Sequence, residues 1–179
     1  MPHLLLATLD DEPGVLNRVV SLIRRRAFNI QALTVGPAEA PGTSRMTLVV
    51  ESDEAGARRV AAHLEKLLNV LKVELLTEKP AVVRYLALLR VAAPVALRSQ
   101  VLTVGAAFRA QVVDVSEDSV VLECSGGAEK LAALAEALRP YGLLELSRTG
   151  ALAMARGTAP ALIPKARAEA DLPPLAMSV

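Results

Sequence analysis

Tryptophan is absent from the 179 residues, and Phe and Tyr occur only twice each. A sheet that binds single-stranded nucleic acid stacks bases on aromatic rings of its central strands, so this shortage argues against such a role. An excess of charge of either sign is also missing, with 20 Lys and Arg against 19 Asp and Glu and a net charge of +1. No long-range field then draws in nucleic acid or an anionic membrane, and partner choice has to be local. The single cysteine, Cys124, has no internal disulfide partner. It follows the β-branched pair Val120 and Val121 with no His or Lys beside it, so it reads as a small buried hydrophobe in a reducing compartment. Only two histidines occur, His3 and His63, neither at ligand spacing with Cys124, and no metal site is expected. Long apolar runs are lacking too. Leu4 to Leu9 has no basic segment before it and three acids behind it, which fits neither a signal peptide nor a membrane span; a cytoplasmic location is expected.

What the chain does have is apolar content, 53% of its residues, and a mean hydropathy of +0.39. Enough apolar surface exists to offset chain entropy, so the chain folds, as one ordinary domain or as two of roughly 70 to 80 residues. The hydropathy is high for a soluble monomer and points to oligomerisation.

The apolar run His3 to Leu9 ends at Asp10, Asp11, Glu12, Pro13 and Gly14, and the period then changes. Val15, Leu16, Val19, Leu22 and Ile23 fall at helical spacing, with acids at the start, Arg24 to Arg26 at the end and Pro13 in the first turn. Asn29 to Val35 and Ser44 to Glu51 read as strands separated by Gly36, Pro37, Pro41 and Gly42. Helical spacing returns from Asp53 through Leu67 and Leu68, and Val70 to Leu76 reads as a strand. The order is βαββαβ. After Lys79 and Pro80 it repeats, with strands at Val82 to Val91, Gln111 to Val115, Ser119 to Glu123 and Gly142 to Arg148. Helices at Leu97 to Phe108 and Glu129 to Leu138 complete the second unit. Right-handed crossovers fold each unit into a four-stranded antiparallel sheet with both helices on one face. The expectation is an α+β protein of two ferredoxin-like domains, residues 1–78 and 81–157, with a flexible tail at 158–179 and a helical patch at Lys165 to Ala170. Strands apolar on both faces, His3 to Leu9 above all, leave one face to be covered by something other than these helices.

Few residues gather as a reactive group. Asp10, Asp11 and Glu12 form a tight acidic cluster, read as helix-start charge rather than a metal or acid–base site. Ser125, Gly126 and Gly127 lack the Lys of a P-loop and read as a helix start. Arg24 to Arg26, Arg58 and Arg59 read as solvated helix ends. No catalytic residue is expected. The junction from Asp11 to Leu16, taken with Asn29, is more informative. Free N–H groups near Gly14 to Leu16 can hold a carboxylate at the positive end of a helix, Gly14 leaves room for it, and Asp11 or Asn29 can accept from an ammonium group. An ordinary capped helix is the alternative.

The stretch from Leu9 to Val50 resembles the N-terminal ACT domain of the small, regulatory subunit of acetolactate synthase. The family elements appear as Glu12, Pro13, Gly14, Leu16, Arg18 and Val19, then Phe28 to Val35, then Ser44 to Thr47, and the likeness continues to about residue 157. This resemblance implies a non-catalytic subunit that binds and activates a thiamine-diphosphate-dependent catalytic subunit. It also implies feedback inhibition by valine at the entry to valine, leucine and isoleucine synthesis. It implies a homodimer through ACT domains, with valine between them against Gly14, Val15 and Leu16 of one chain and Asn29 and Ile30 of the other; Asp11 stands where the family often has Asn, and is expected to accept from the valine ammonium group. No cofactor is then expected in this chain; thiamine diphosphate, Mg and FAD belong to the catalytic partner. A free-standing ACT-type amino-acid sensor acting on another enzyme is the alternative.

Overall fold

Alternation along the first strand sets the architecture. In β1 (Pro2–Asp10), Leu5, Ala7 and Leu9 are at most 2% exposed and join one apolar core, while Leu6 is equally buried on the opposite face, in a separate cluster. The computed structural model describes residues 1–157. After β1 come α1 (Val15–Arg25), β2 (Asn29–Pro37), β3 (Thr43–Glu51), α2 (Glu54–Leu64) and β4 (Val70–Leu75). They form an antiparallel sheet in the order β2-β3-β1-β4. Val15, Val19 and Ile23 of α1 and Val60 and Leu64 of α2 cover the sheet face formed by Leu5, Ala7, Leu9, Met46 and Leu48. Residues three or four apart on each helix supply this stripe.

A single 3-10 turn at Leu76–Glu78 leads into β5 (Ala81–Ala92). The second unit continues with α3 (Val95–Ala107), β6 (Gln111–Val115), β7 (Ser119–Gly126), α4 (Ala128–Leu138), β8 (Leu143–Arg148) and β9 (Leu152–Ala155). Its sheet runs β6-β7-β5-β8, so β6 repeats the place of β2. Ala87, Leu89, Val91, Leu122 and Leu134 form its core, and Cys124 is buried among them as expected. Both units are ferredoxin-like βαββαβ arrangements.

Several boundaries differ from the sequence reading for physical reasons. Gly14, not Pro13, caps α1, with φ +86° and ψ −10°, so Pro13 and the acids precede the helix and no acid lies in its first turn. Helix α2 ends at Leu64 because the chain turns back through Leu67 to reach Asn69, and Leu68 is left 86% exposed rather than buried. Ser125 and Gly126 belong to β7, which leaves Gly127 alone as the cap of α4.

Strand β9 was not foreseen, since residues 151–157, though expected within the second domain, carry no strand pattern. It pairs antiparallel with the first third of β5, Ala81 to Arg84, whose remainder pairs with β7 and β8. The resulting two-stranded ribbon places Ala81, Val83, Ala153 and Ala155 on Leu4, Leu6 and Leu76. Part of the uncovered face of the first sheet is therefore covered by this chain itself, where the sequence suggested only oligomerisation. The Lys165 to Ala170 patch and the rest of 158–179 lie outside the described residues.

Candidate functional site

The loop joining β1 to α1 is held from both sides by backbone and side-chain bonds. On one side, Asp11 N donates to Gly42 O at 2.8 Å, and Ser44 Oγ donates to Asp11 Oδ1 at 3.0 Å. On the other, Asp10 N donates to Asn69 O at 2.9 Å, and Asn69 Nδ2 donates to Asp10 Oδ2 at 3.2 Å and to Glu12 Oε2 at 3.4 Å. Arg18 donates to the Asn69 side-chain oxygen and closes this network. A rigid loop presents backbone groups in fixed directions, which lowers the entropy lost when a ligand binds.

At the start of α1 the donors sort clearly. Val15 N donates to Glu12 O at 3.3 Å, and Arg18 N to Gly14 O at 3.0 Å. The N–H groups of Leu16 and Asn17 have no acceptor among the described residues, and α1 has no side-chain cap. A helix start with free N–H groups carries partial positive charge and favours a carboxylate. Gly14 is exposed, and a Cβ built on it would meet nothing within 4 Å, so space is open above the loop. Val15 serves differently from expectation. Its N–H is engaged within the turn and its side chain is 4% exposed in the core, so Val15 anchors the loop. Leu16 is 42% exposed beside the free donors.

Sequence reasoning missed Asn17, whose backbone N–H joins that of Leu16, and Ser44, buried at 7% exposure, which orients Asp11. The register of β1 on β3, which pairs Leu9 with Ser44, brings Ser44 beside Asp11, and the residues alone do not set that register.

Asn29 and Ile30 are not brought to this loop within one chain. Asn29 pairs with Glu51 at one end of the sheet, whereas Pro37 pairs with Ser44 at the end where the loop sits. Nine residues of β2 separate the two ends, roughly 25 Å at about 3.3 Å per residue. Asn29 is exposed, and Ile30 is half-buried against the core. Among the described residues β2 is an outer strand of its sheet, pairing with β3 alone, and Val35 is 40% exposed along it.

Elsewhere, no group of three or more His, Cys, Asp or Glu among the described residues could hold a metal. No helix among them is long and apolar enough to cross a membrane.

Comparison with known proteins covers both halves. Residues 5–72 match the model of the AHAS small subunit-like ACT domain, and residues 84–157 match that of the small subunit of acetolactate synthase. A probable acetolactate synthase small subunit of Archaeoglobus fulgidus is 45% identical over 157 residues, 88% of this chain and 98% of that one. The acetolactate synthase small subunit of Bacillus subtilis is 41% identical, across 88% of this chain and 92% of its own. Among solved structures, the acetolactate synthase small subunit of Thermotoga maritima superposes with a TM-score of 0.81 at 31% identity, over 89% of this chain and 99% of that chain.

Proposed function

The chain belongs to the family of acetolactate synthase small subunits, and from that premise we propose that it binds and activates the catalytic subunit and confers feedback inhibition by valine. Carbon–carbon bond formation from pyruvate is the work of the catalytic subunit, with its thiamine diphosphate, Mg and FAD. This chain contributes regulation of valine, leucine and isoleucine synthesis in the cytoplasm.

The single observation that carries the effector reading is the geometry at the start of α1, where two free N–H groups, a glycine with open space and an oriented carboxylate lie together. A zwitterion with a branched apolar side chain matches it. Leu16 and Asn17 N–H receive the carboxylate, Asp11 accepts from the ammonium group, and Leu16 offers apolar surface to the side chain.

Only half a site is present in one chain, and a two-fold dimer completes it. Two β2 edges paired antiparallel about Leu33 set Asn29 of one chain against Pro37 of the other, at the loop end of that sheet. Asn29 and Ile30 of the second chain then face the Asp11 to Leu16 loop of the first, and each dimer has two such sites. The exposed Val35 and Leu16 lie on this seam and lose water when it forms.

The test is acetolactate formation by the purified catalytic subunit, with and without this chain, across a valine titration. Activation that valine reverses supports the reading. Activation without a valine response would remove the effector assignment, and no effect would leave the free-standing sensor.

A further inference from the structure

We propose that the Thr149–Gly150 turn, seated on Leu33 and Thr34 of β2, is the contact through which occupancy of the valine site reaches the C-terminal sheet. The proposal rests on the effector reading above and names its route of transmission.

Strand β2 carries Asn29 and Ile30 at one end and touches the second half of the chain in its middle. The contact is close. A Cβ on Gly150 would stand 2.5 Å from Thr34 Oγ1 and 3.2 Å from Leu33 O, so backbone lies against strand with no room for any side chain. Such a seat has little slack, and a shift of β2 has to move the turn. Thr34 Oγ1 is buried and has no hydrogen-bond partner among the described residues. This seating leaves a polar group unsatisfied, so a neighbouring arrangement that pairs the hydroxyl competes with it, and a switch needs two arrangements close in free energy.

Beyond the turn the connection continues without a gap. Thr149 N donates to Leu86 O at 3.0 Å, and Leu86 N donates to Thr149 Oγ1 at 3.0 Å. Leu86 lies next to the point where β5 changes partners, from β9 at Arg84 to β7 at Tyr85, and next to the core residue Ala87. Motion at Gly150 is therefore delivered to the central strand of the C-terminal sheet. Packed elements pass such motion as discrete rearrangements rather than as elastic strain.

The test uses the reconstituted holoenzyme with Gly150→Ala, Thr149→Ala and the double variant Gly150→Ala/Thr34→Ala. Both single variants are expected to activate the catalytic subunit as the parent does and to bind valine with near-parental affinity by calorimetry. Their inhibition by valine is expected to weaken by about fivefold or more. The double variant removes the clash with Thr34 Oγ1 but keeps the 3.2 Å approach to Leu33 O and loses the hydroxyl that the competing arrangement would pair, so it is expected to fold more stably than Gly150→Ala and to stay weakly inhibited; parental inhibition in it would count against the proposal. Parental inhibition in folded Gly150→Ala and Thr149→Ala would overturn the proposal, as would loss of valine binding together with inhibition. Should Gly150→Ala fail to fold, Thr149→Ala alone decides, because it adds no volume. A parent that binds no valine would instead refute the effector reading, and this proposal with it.

Discussion

Gly14→Asp separates the ligand site from the fold. A side chain at φ +86° carries a backbone penalty of about 1 kcal/mol or slightly more. A Cβ there meets nothing within 4 Å, so no steric cost is added within the chain. Helix α1 has no acid in its first turn, and an acid beside its start contributes about 0.3–1 kcal/mol in return through the helix dipole, although the left-handed backbone here is not that of a side-chain cap. The two effects offset, and the melting temperature is expected to move by no more than about 3 °C. At the ligand the effect is one-sided. A second carboxylate about 4 Å from that of valine costs between about 1 and 4 kcal/mol, for a surroundings ranging from water to a partly buried surface. Inhibition by valine is expected to weaken by roughly 5-fold to 1000-fold while activation persists. Thermal unfolding of the isolated chain and valine titration of the holoenzyme read the two effects separately. Gly14→Asn, which tolerates the same backbone without charge, is expected to keep more of the valine response. Parental inhibition by Gly14→Asp, or a loss of fold, would refute this reasoning.

Other expectations rest on separate features. Asp11→Asn removes the charge facing the ammonium group and is expected to weaken valine binding several-fold by calorimetry; equal affinity would exclude the contact. Leu6→Ala empties the cluster under the β5–β9 ribbon, and is expected to cost about 2–4 kcal/mol in denaturant unfolding and to speed amide exchange at Leu152 to Ala155. Arg109 ends α3 at φ +57°, so Arg109→Gly is expected to leave stability unchanged or raise it by up to about 1 kcal/mol. Lys72, donating to Glu74 at 2.6 Å, holds that carboxylate below the ordinary Glu range, with Lys79 adding to the effect against partial burial. A depressed folded-state value stabilises above the ordinary Glu pKa and is lost as pH falls through the lower one. Melting temperature in the parent is thus expected to fall more steeply below about pH 4.5 than in Glu74→Gln.

Local signals that agree with tertiary structure were readable from the residues. Leu5, Ala7 and Leu9 alternate, Val15, Val19 and Ile23 recur at helical spacing, and the repeated βαββαβ order follows from them. Strand β9 escaped because Leu152 to Ala155 is four residues of weak pattern beside Gly150, and only a partner strand distant in sequence makes it a strand. Gly14 was identified as the residue that leaves room, but its capping role required a dihedral angle that sequence does not carry. Likewise the loop's rigidity comes from Asn69, 55 or more residues away, whose bonds to Asp10 and Glu12 have no local signature. The separation of Asn29 from Gly14 follows from strand register, which the order of elements alone does not set.

The central claim is that each valine site is built from the loop of one chain and the strand of another, and mixed dimers test it most directly. Gly14→Asp and Asn29→Ala chains would be prepared separately, each expected to bind valine more weakly than the parent, then exchanged at equal amounts and titrated by calorimetry. In a mixed dimer one site carries both lesions and the other carries neither. Half of the dimers are mixed at random exchange and each has one of two sites intact, so about a quarter of the parental sites is expected to return with parental affinity. No recovered binding after demonstrated exchange would contradict the shared site and place Asn29 and Gly14 in a single-chain role that their separation along the sheet does not allow.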